Sequence, residues 1–184
     1  AQGRLEKVLG HTKDVGMDIS SIIYQNDLET EFSEETKIYL KKLNKTITKQ
    51  ELANRIDYRY LDLITIDGSD SKDLDDAVYV EKVENGYHLS VHIADVGHYV
   101  REGSPLDIDA FKRGTSVYLP DRVLPMLPEL LSNDLCSLNP HTDKLALTCA
   151  MFINNHGEVV SHSIEESIIN TSYRTTYEEI NALL

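Results

Sequence analysis

A chain of 184 residues is enough for one ordinary domain, or one domain with an appendage. Its formal charge of −13, from 18 cations and 31 acids, excludes a free-standing nucleic-acid binder with a basic footprint, but not a site whose bound cations reverse the local sign. No apolar run reaches the length of a membrane span, and the N-terminus is not a signal peptide. The two cysteines, Cys136 and Cys149, form no CxxC pair and read as reduced thiols of a cytoplasmic protein.

Residues 1 to about 17 carry scattered apolar positions around Gly10 and Gly16 and read as the end of something β-rich. No Met opens the chain, so it reads as a cut-out of a longer protein. From about 18 to 55 the pattern is helical. Ser33 before Glu34 and Glu35, with lysines late in the run, predicts a capped helix whose charges complement its dipole. Thr48-Lys49-Gln50-Glu51 fits a capping box opening a short helix through Leu52.

From Asp57 on the chain becomes mainly strands, predicted over Leu61–Ile66, Ala77–Lys82 and Tyr87–Val96. The last alternates, with Leu89, Val91 and Ile93 on one face and His88, Ser90 and His92 on the other. Asn85-Gly86 predicts the hairpin between the last two runs. Ser104-Pro105 starts a helix that Gly114 should stop. Thr115–Leu119 reads as a strand, and Pro120, Pro125 and Pro128 mark a loop without regular structure. Leu145–Ile153 and Val159–Ile169 form another antiparallel pair, and a helix begins at Thr176. The fold class is α+β, a mostly antiparallel sheet with flanking helices.

The stretch that needs explaining lies between the first two of those strands. Asp67, Asp70, Asp73, Asp75 and Asp76 put five aspartates into ten residues, with Lys72 the only cation among them. Two unit charges about 4 Å apart near a protein surface repel by about 4 kcal/mol. Total stability is only about 5–15 kcal/mol. Either the carboxylates fan into water as an ordinary solvated turn, or they take up protons, or cations sit among them; we favour cations. An EF-hand does not fit: counted from Asp67 the twelfth position is Val78, and from Asp73 the fifth is Ala77. An all-oxygen donor set suits a hard ion, magnesium or manganese.

Other chemistry has little support. His92, Asp95 and His98 lack zinc spacing, Cys136 with His141 shows no local sign of a nucleophile and base, and no GxSxG elbow or nucleotide-cradling glycine loop occurs. Tyr118, at a strand end before the proline-rich loop, could stack on a nucleobase or lie in the core.

Thr65-Ile66-Asp67-Gly68, Asp73-Leu74-Asp75-Asp76-Ala77, His92-Ile93-Ala94-Asp95-Val96, Arg113-Gly114-Thr115-Ser116-Val117-Tyr118-Leu119-Pro120, Pro125-Met126-Leu127-Pro128 and Leu131-Ser132-Asn133-Asp134-Leu135-Cys136-Ser137-Leu138 follow one another in the chain. Together they resemble the catalytic domain of the ribonuclease II/ribonuclease R (RNB) family, most of all its bacterial ribonuclease R members. The resemblance implies the tail of a cold-shock (OB-fold) domain over 1–19, a helical linker over 20–56, and the N-terminal part of the catalytic domain over 57–184.

It also implies a processive, cytoplasmic 3′→5′ exoribonuclease that hydrolyses single-stranded RNA to 5′-mononucleotides with magnesium, manganese being the alternative. By position, Asp67, Asp73, Asp75 and Asp76 match the family's metal-site acids, Asp75 matches the one most critical for catalysis, and Tyr118 matches the aromatic that stacks at the RNA 3′ end. Asp70 has no such counterpart. The family's catalytic domain continues beyond position 184 with an essential arginine and a second aromatic clamp, so this chain by itself is expected to degrade RNA poorly. The rival expectations are a non-catalytic acidic-loop metal-binding module and an inactive interaction fragment. Oligomeric state is not legible.

Overall fold

In the computed structural model, which describes residues 3–5, 7–11 and 13–183, most of the strands wind into one sheet. In chain order the elements begin with α1 (Met17–Gln25), α2 (Glu34–Lys42) and α3 (Lys49–Leu52). Then come β1 (Ile56–Asp57), β2 (Leu63–Asp67), β3 (Asp76–Val83), β4 (Gly86–Ala94), α4 (Val96–Tyr99) and α5 (Pro105–Arg113). The short strands β5 (Val117–Tyr118) and β6 (Val123–Leu124) precede a π-helix, Leu130–Leu135, and β7 (Asp143–Asn154), β8 (Val159–Thr176) and α6 (Tyr177–Leu183) complete the chain. Two compact units result: Ala1–Lys41 with Gly103–Leu127, and Lys42–Glu102 with Pro128–Leu184.

The second unit carries the sheet, in the order β1-β8-β2-β3-β4-β7. β7 also pairs with β8, so β2, β3, β4, β7 and β8 close into a ring. Only β1 and β2 run parallel to β8; the other pairs are antiparallel. The closure is tightest through β4, β7 and β8; β2 and β3 are joined by one pair, Ile64 with Val78.

The buried positions of this sheet are only partly apolar. Leu63, Ala77 and Ile169 are fully buried, and so are Thr65, His92, Thr148, Ser167 and Thr171. On β4 the predicted alternation is present, and toward its end the polar face is the buried one: Ser90 and His92 are enclosed and Ile93 is 47% exposed, while His88 near the hairpin is exposed. The polar side chains satisfy one another. Ser167 Oγ donates to the Ala146 carbonyl (3.1 Å) and lies 2.6 Å from Thr148 Oγ1, so the Thr148 hydroxyl donates to Ser167. Thr148 Oγ1 then accepts from His92 Nδ1 (2.7 Å), which leaves His92 Nε2 to accept from Ser90 Oγ (2.9 Å). All the hydrogens run one way, and the network assigns His92 the neutral Nδ1–H tautomer.

The capping box is formed as predicted: Thr48 Oγ1 accepts from Glu51 N–H (3.3 Å) and Glu51 Oε2 from Thr48 N–H (2.5 Å). The hairpin differs in detail. Val83 pairs with Gly86, so Glu84 and Asn85 make the turn and Gly86 opens β4. A buried ion pair, Arg55 to Asp95 at 2.5 Å, closes the same unit, with Arg55 also donating to the carbonyls of Ala146 (3.4 Å) and Ser167 (3.3 Å).

In the first unit α5 starts and stops as expected, with Ser104 as N-cap and Gly114 left-handed at φ 70. Ser33 caps α2 through Thr36 N–H (3.2 Å) and donates from its N–H and hydroxyl to Asp109 (both 2.9 Å). Arg113 donates to the carbonyls of Glu29 (3.0 Å), Glu31 (2.7 Å) and Pro125 (3.2 Å) and stacks 4.0 Å over the Phe32 ring. Two expectations are corrected: the predicted Thr115–Leu119 strand contracts to Val117–Tyr118, and the proline-rich segment does contain a strand, β6, its partner. Prolines at 120, 125 and 128 leave room for only two residues of pairing.

Candidate active site

β2 ends on Asp67 and β3 begins on Asp76, so the strand pair presents these two aspartates at the two ends of one loop. Within the loop Leu74 is fully buried, whereas Asp73 and Asp75 on either side of it are exposed. Burying that one leucine turns its acidic neighbours outward.

The loop backbone is held from several elements. Leu74 N–H donates to Ser137 Oγ (3.0 Å), and the same hydroxyl donates to the Lys72 carbonyl (3.1 Å). Leu138 N–H donates to the Leu74 carbonyl (2.8 Å), and Ala94 N–H to that of Asp75 (2.9 Å). From β8, Arg174 Nη2 donates to the carbonyls of Ser71 (2.7 Å), Ser69 (3.3 Å) and Gly68 (3.5 Å). Ser137 and Leu138 follow the π-helix, and Leu131, Leu135, Cys136 and Leu138 bury that segment against the unit.

Electrostatically the four matched aspartates occupy one field. Burial raises the Asp67 carboxyl above the ordinary carboxylate range, with repulsion from Asp76 and Asp73 adding to it and Arg174 opposing. Asp75, although exposed by surface area, is raised as well, by partial desolvation among the surrounding atoms and then by repulsion from Asp73, Asp76 and Asp67. Asp67 Oδ2 is buried and makes no hydrogen bond of normal geometry, although the nearby Thr65 hydroxyl also pulls the carboxyl downward. The carboxylates are nevertheless not drawn to a common point: among the described residues no group of three or more His, Cys, Asp or Glu is close enough to enclose a metal ion.

The donor set passes a test of fit for a hard divalent cation. It is all carboxylate oxygen, it is mutually repelling, and one of its oxygens is buried without a hydrogen bond of normal geometry, the condition a cation relieves. Tyr118 belongs to the other unit, where it is 72% exposed on β5. Ser116 Oγ accepts from Met126 N–H (2.9 Å) just before it.

The weaker candidates resolve as packing. Burial pushes the Cys136 thiol up to about 12, the reverse of an activated nucleophile. His92 is a satisfied interior histidine, and His98 pairs through Nε2 with Glu51 (2.8 Å). Sequence reasoning gave no role to Ser137 or Arg174. Ser137 lay inside a quoted motif with no local sign of its target, and Arg174 is about a hundred residues from the carbonyls it holds.

Residues 55–184 match the RNB domain, and residues 1–33 match the cold shock domain. Ribonuclease R 1 of Lactococcus lactis is 46% identical over 184 residues, which take in 100% of this chain and 22% of that protein. Ribonuclease R of Thermotoga maritima is 46% identical over 186 residues, covering 100% of this chain and 26% of that one. A structure of Mycoplasma genitalium RNase R in complex with double-stranded RNA is similar with a TM-score of 0.89 at 36% identity, over 97% of this chain and 32% of that chain.

The α+β architecture with its aspartate-bearing loop is thus that of an RNB-type ribonuclease domain. The chain belongs to the RNB domain family, and it spans about a quarter of the length of these curated relatives.

Proposed function

We propose that this chain is part of a processive 3′→5′ exoribonuclease that hydrolyses single-stranded RNA to 5′-mononucleotides, and that the Asp67–Asp76 loop is its catalytic metal site. The observation that carries the proposal is the shared field of Asp67, Asp73, Asp75 and Asp76 around a buried Asp67 oxygen without a hydrogen bond of normal geometry. Similarity to ribonuclease R over the full chain supports the reaction class.

Asp67 and Asp76, at the ends of β2 and β3, would hold magnesium, with manganese as the alternative; Asp73 and Asp75 complete the set, and Asp75 is the most critical for turnover. Bound there, the ion would supply Lewis-acid activation of the scissile phosphate and of the attacking water. The residues themselves do the rest. Leu74 and Ser137 fix the direction of the carboxylates, and the paired strands on each side hold them rigidly. Tyr118 stacks on a base near the RNA 3′ end, an interaction worth about 1–3 kcal/mol.

Residues 1–19 are the tail of a cold-shock domain, 20–56 a linker and 57–184 the N-terminal part of the catalytic domain. Similarity to ribonuclease R supports a cytoplasmic location as part of this proposal. Separately, among the described residues no helix is long and apolar enough to cross a membrane.

The test is Asp75→Asn in the intact protein, assayed with labelled single-stranded RNA and magnesium. Turnover should fall by on the order of a hundredfold or more, the scale of removing one preorganised electrostatic group, with the melting temperature kept. Unchanged turnover would overturn the assignment and favour a metal-binding module without hydrolysis.

A further inference from the structure

We propose that Arg174 is the positioning residue of the aspartate loop, its guanidinium gathering the backbone of residues 68–71 and so fixing where Asp67 and Asp73 stand. The inference rests on the loop being the catalytic metal site.

One nitrogen, Nη2, meets three carbonyls, those of Ser71 at 2.7 Å, Ser69 at 3.3 Å and Gly68 at 3.5 Å. Three carbonyls of one short turn face the same donor, and Ser71 N–H closes that turn on the Gly68 carbonyl at 3.1 Å. The turn begins directly after Asp67 and ends two residues before Asp73. Any shift of its backbone moves both carboxylates.

The sheet is built to put an arginine there. β8 pairs in parallel with β2, and the register slips between Leu63, opposite Thr171, and Ile64, opposite Tyr173. Ser172 is passed over. Without that slip Tyr173 would stand opposite Thr65; with it, Arg174 does, and Thr176 comes opposite Asp67. Bulges re-aim side chains in this way, and they are frequent next to active sites. Thr175 Oγ1 then donates to the Thr65 carbonyl at 2.6 Å, locking the shifted register beside the strand that ends on Asp67.

The hydrogen bonds of the contact go to backbone, while the charge of Arg174 acts on Asp67 only through space, opposing its upward shift. Four carboxylates lie nearby, yet among the described residues none makes an ion pair with Arg174 within 4 Å, and the side-chain hydrogen bonds found for it go to backbone carbonyls. A guanidinium remains protonated at every working pH and keeps its donors. Arg174 is also exposed, so its loss should cost the fold little while loosening the turn.

The experiment uses the intact protein and its Arg174→Met, Arg174→Lys and Asp75→Asn variants. In Arg174→Met, kcat on labelled single-stranded RNA at saturating magnesium should fall on the order of ten- to a hundredfold, the scale set by misplacing reacting groups by about 1 Å. KM for RNA should stay within about threefold, a split expected when only the transition state is affected. Arg174→Lys, which keeps a cationic donor, should recover part of the loss. Amide exchange of residues 68–73 in the metal-free protein should quicken in Arg174→Met while the β4 amides keep their rates.

An unchanged kcat, a raised KM with kcat intact (which would make Arg174 a substrate contact), or unchanged loop exchange would each overturn the positioning role. Because exchange is read without metal or RNA, it decides on Arg174 even if Asp75→Asn left turnover intact. That last outcome would instead remove the catalytic reading of the loop.

Discussion

Acid should unfold this protein through His92 before it protonates most of the surface carboxylates. Burial pushes the His92 imidazole down from its ordinary 6.5 to about 4. In the folded chain the ring is fully enclosed, donating from Nδ1 to Thr148 and accepting at Nε2 from Ser90. The Tyr58 ring lies edge-on at 5.5 Å. Among the described residues no carboxylate is hydrogen-bonded to it, so a second proton would add an unpaired buried charge and reverse the Ser90 bond. Between pH 6.5 and about 4 the unfolded chain binds the proton and the folded one does not. Stability therefore rises with pH across that window, and it is lost as pH falls through it. A gap of about two and a half pH units, at about 1.4 kcal/mol each, amounts to about 3 kcal/mol, a large share of an ordinary domain's stability. Other groups act with other signs. Asp67 and Asp75 are raised, so in metal-free protein their protonation stabilises the fold as pH falls. Asp57, held at about 2 by Arg59, acts in the same direction as His92, but its contribution is fully present above its ordinary 3.8 and is lost only as pH falls from there toward about 2, below the range of the assay. The assay is therefore a difference: urea unfolding at pH steps from about 7.5 to 4.5 in chelator, for the parent and for His92→Gln. Glutamine offers one donor and one acceptor but does not titrate. The parent should lose more than about 2 kcal/mol relative to the variant by pH 4.5. Parallel curves would refute the argument, and with it the assigned direction of the hydrogen-bond chain.

Two further substitutions probe the scaffold. Ser137→Ala removes the acceptor of the Leu74 N–H and the donor to the Lys72 carbonyl; with a buried donor left unpaired, unfolding free energy should drop by about 1–3 kcal/mol, and amide exchange at Leu74 should accelerate, a null result at Leu74 telling against the anchor. Gly86→Ala places a methyl 2.0 Å from the Ile153 carbonyl oxygen at a φ of 155, so the β4–β7 ladder must shift; a loss of at least about 1–3 kcal/mol is expected by thermal or urea unfolding, and a neutral result would mean the hairpin tolerates a side chain there.

How much of this was legible follows the range of the interactions. The Thr48–Glu51 capping box and the Ser104 and Gly114 ends of α5 are written within four or five residues of themselves, and they formed as expected. Gly86 carried a local signal for the wrong reason: it matched a turn dipeptide, while its actual need is the approach of Ile153 from β7, a strand more than fifty residues away. The alternation of β4 was legible, but which of its faces lies inside was not. Burial there follows a chain of hydroxyls that only the pairing of β4, β7 and β8 brings into register, with Val91 opposite Cys149 and Ala146 opposite Ser167. The proline spacing predicted a loop without regular structure where β6 forms, and it gave no hint that Leu130–Leu135 would coil into a π-helix.

The acidic stretch itself was legible as composition, but the residue that explains its geometry is the apolar one inside it. Leu74 interrupts the aspartates and is fully buried, with its N–H on Ser137 and its carbonyl on Leu138. A loop of aspartates alone would relax by turning every carboxylate into solvent, each away from the next. A leucine anchored among them forbids that relaxation. Asp73 and Asp75 must remain on the outer side of the same buried point, within the field of Asp67 and Asp76. The hydrophobic contribution of one buried leucine, about 1.5–3 kcal/mol, together with three backbone hydrogen bonds to the Lys72–Leu74 segment, is of the size needed to offset one such repulsion at the surface. The remaining repulsion is what a divalent cation would relieve. The spacing Asp73-Leu74-Asp75-Asp76 thus joins a packing requirement to a charge requirement, and neither could be met by the aspartates without the leucine.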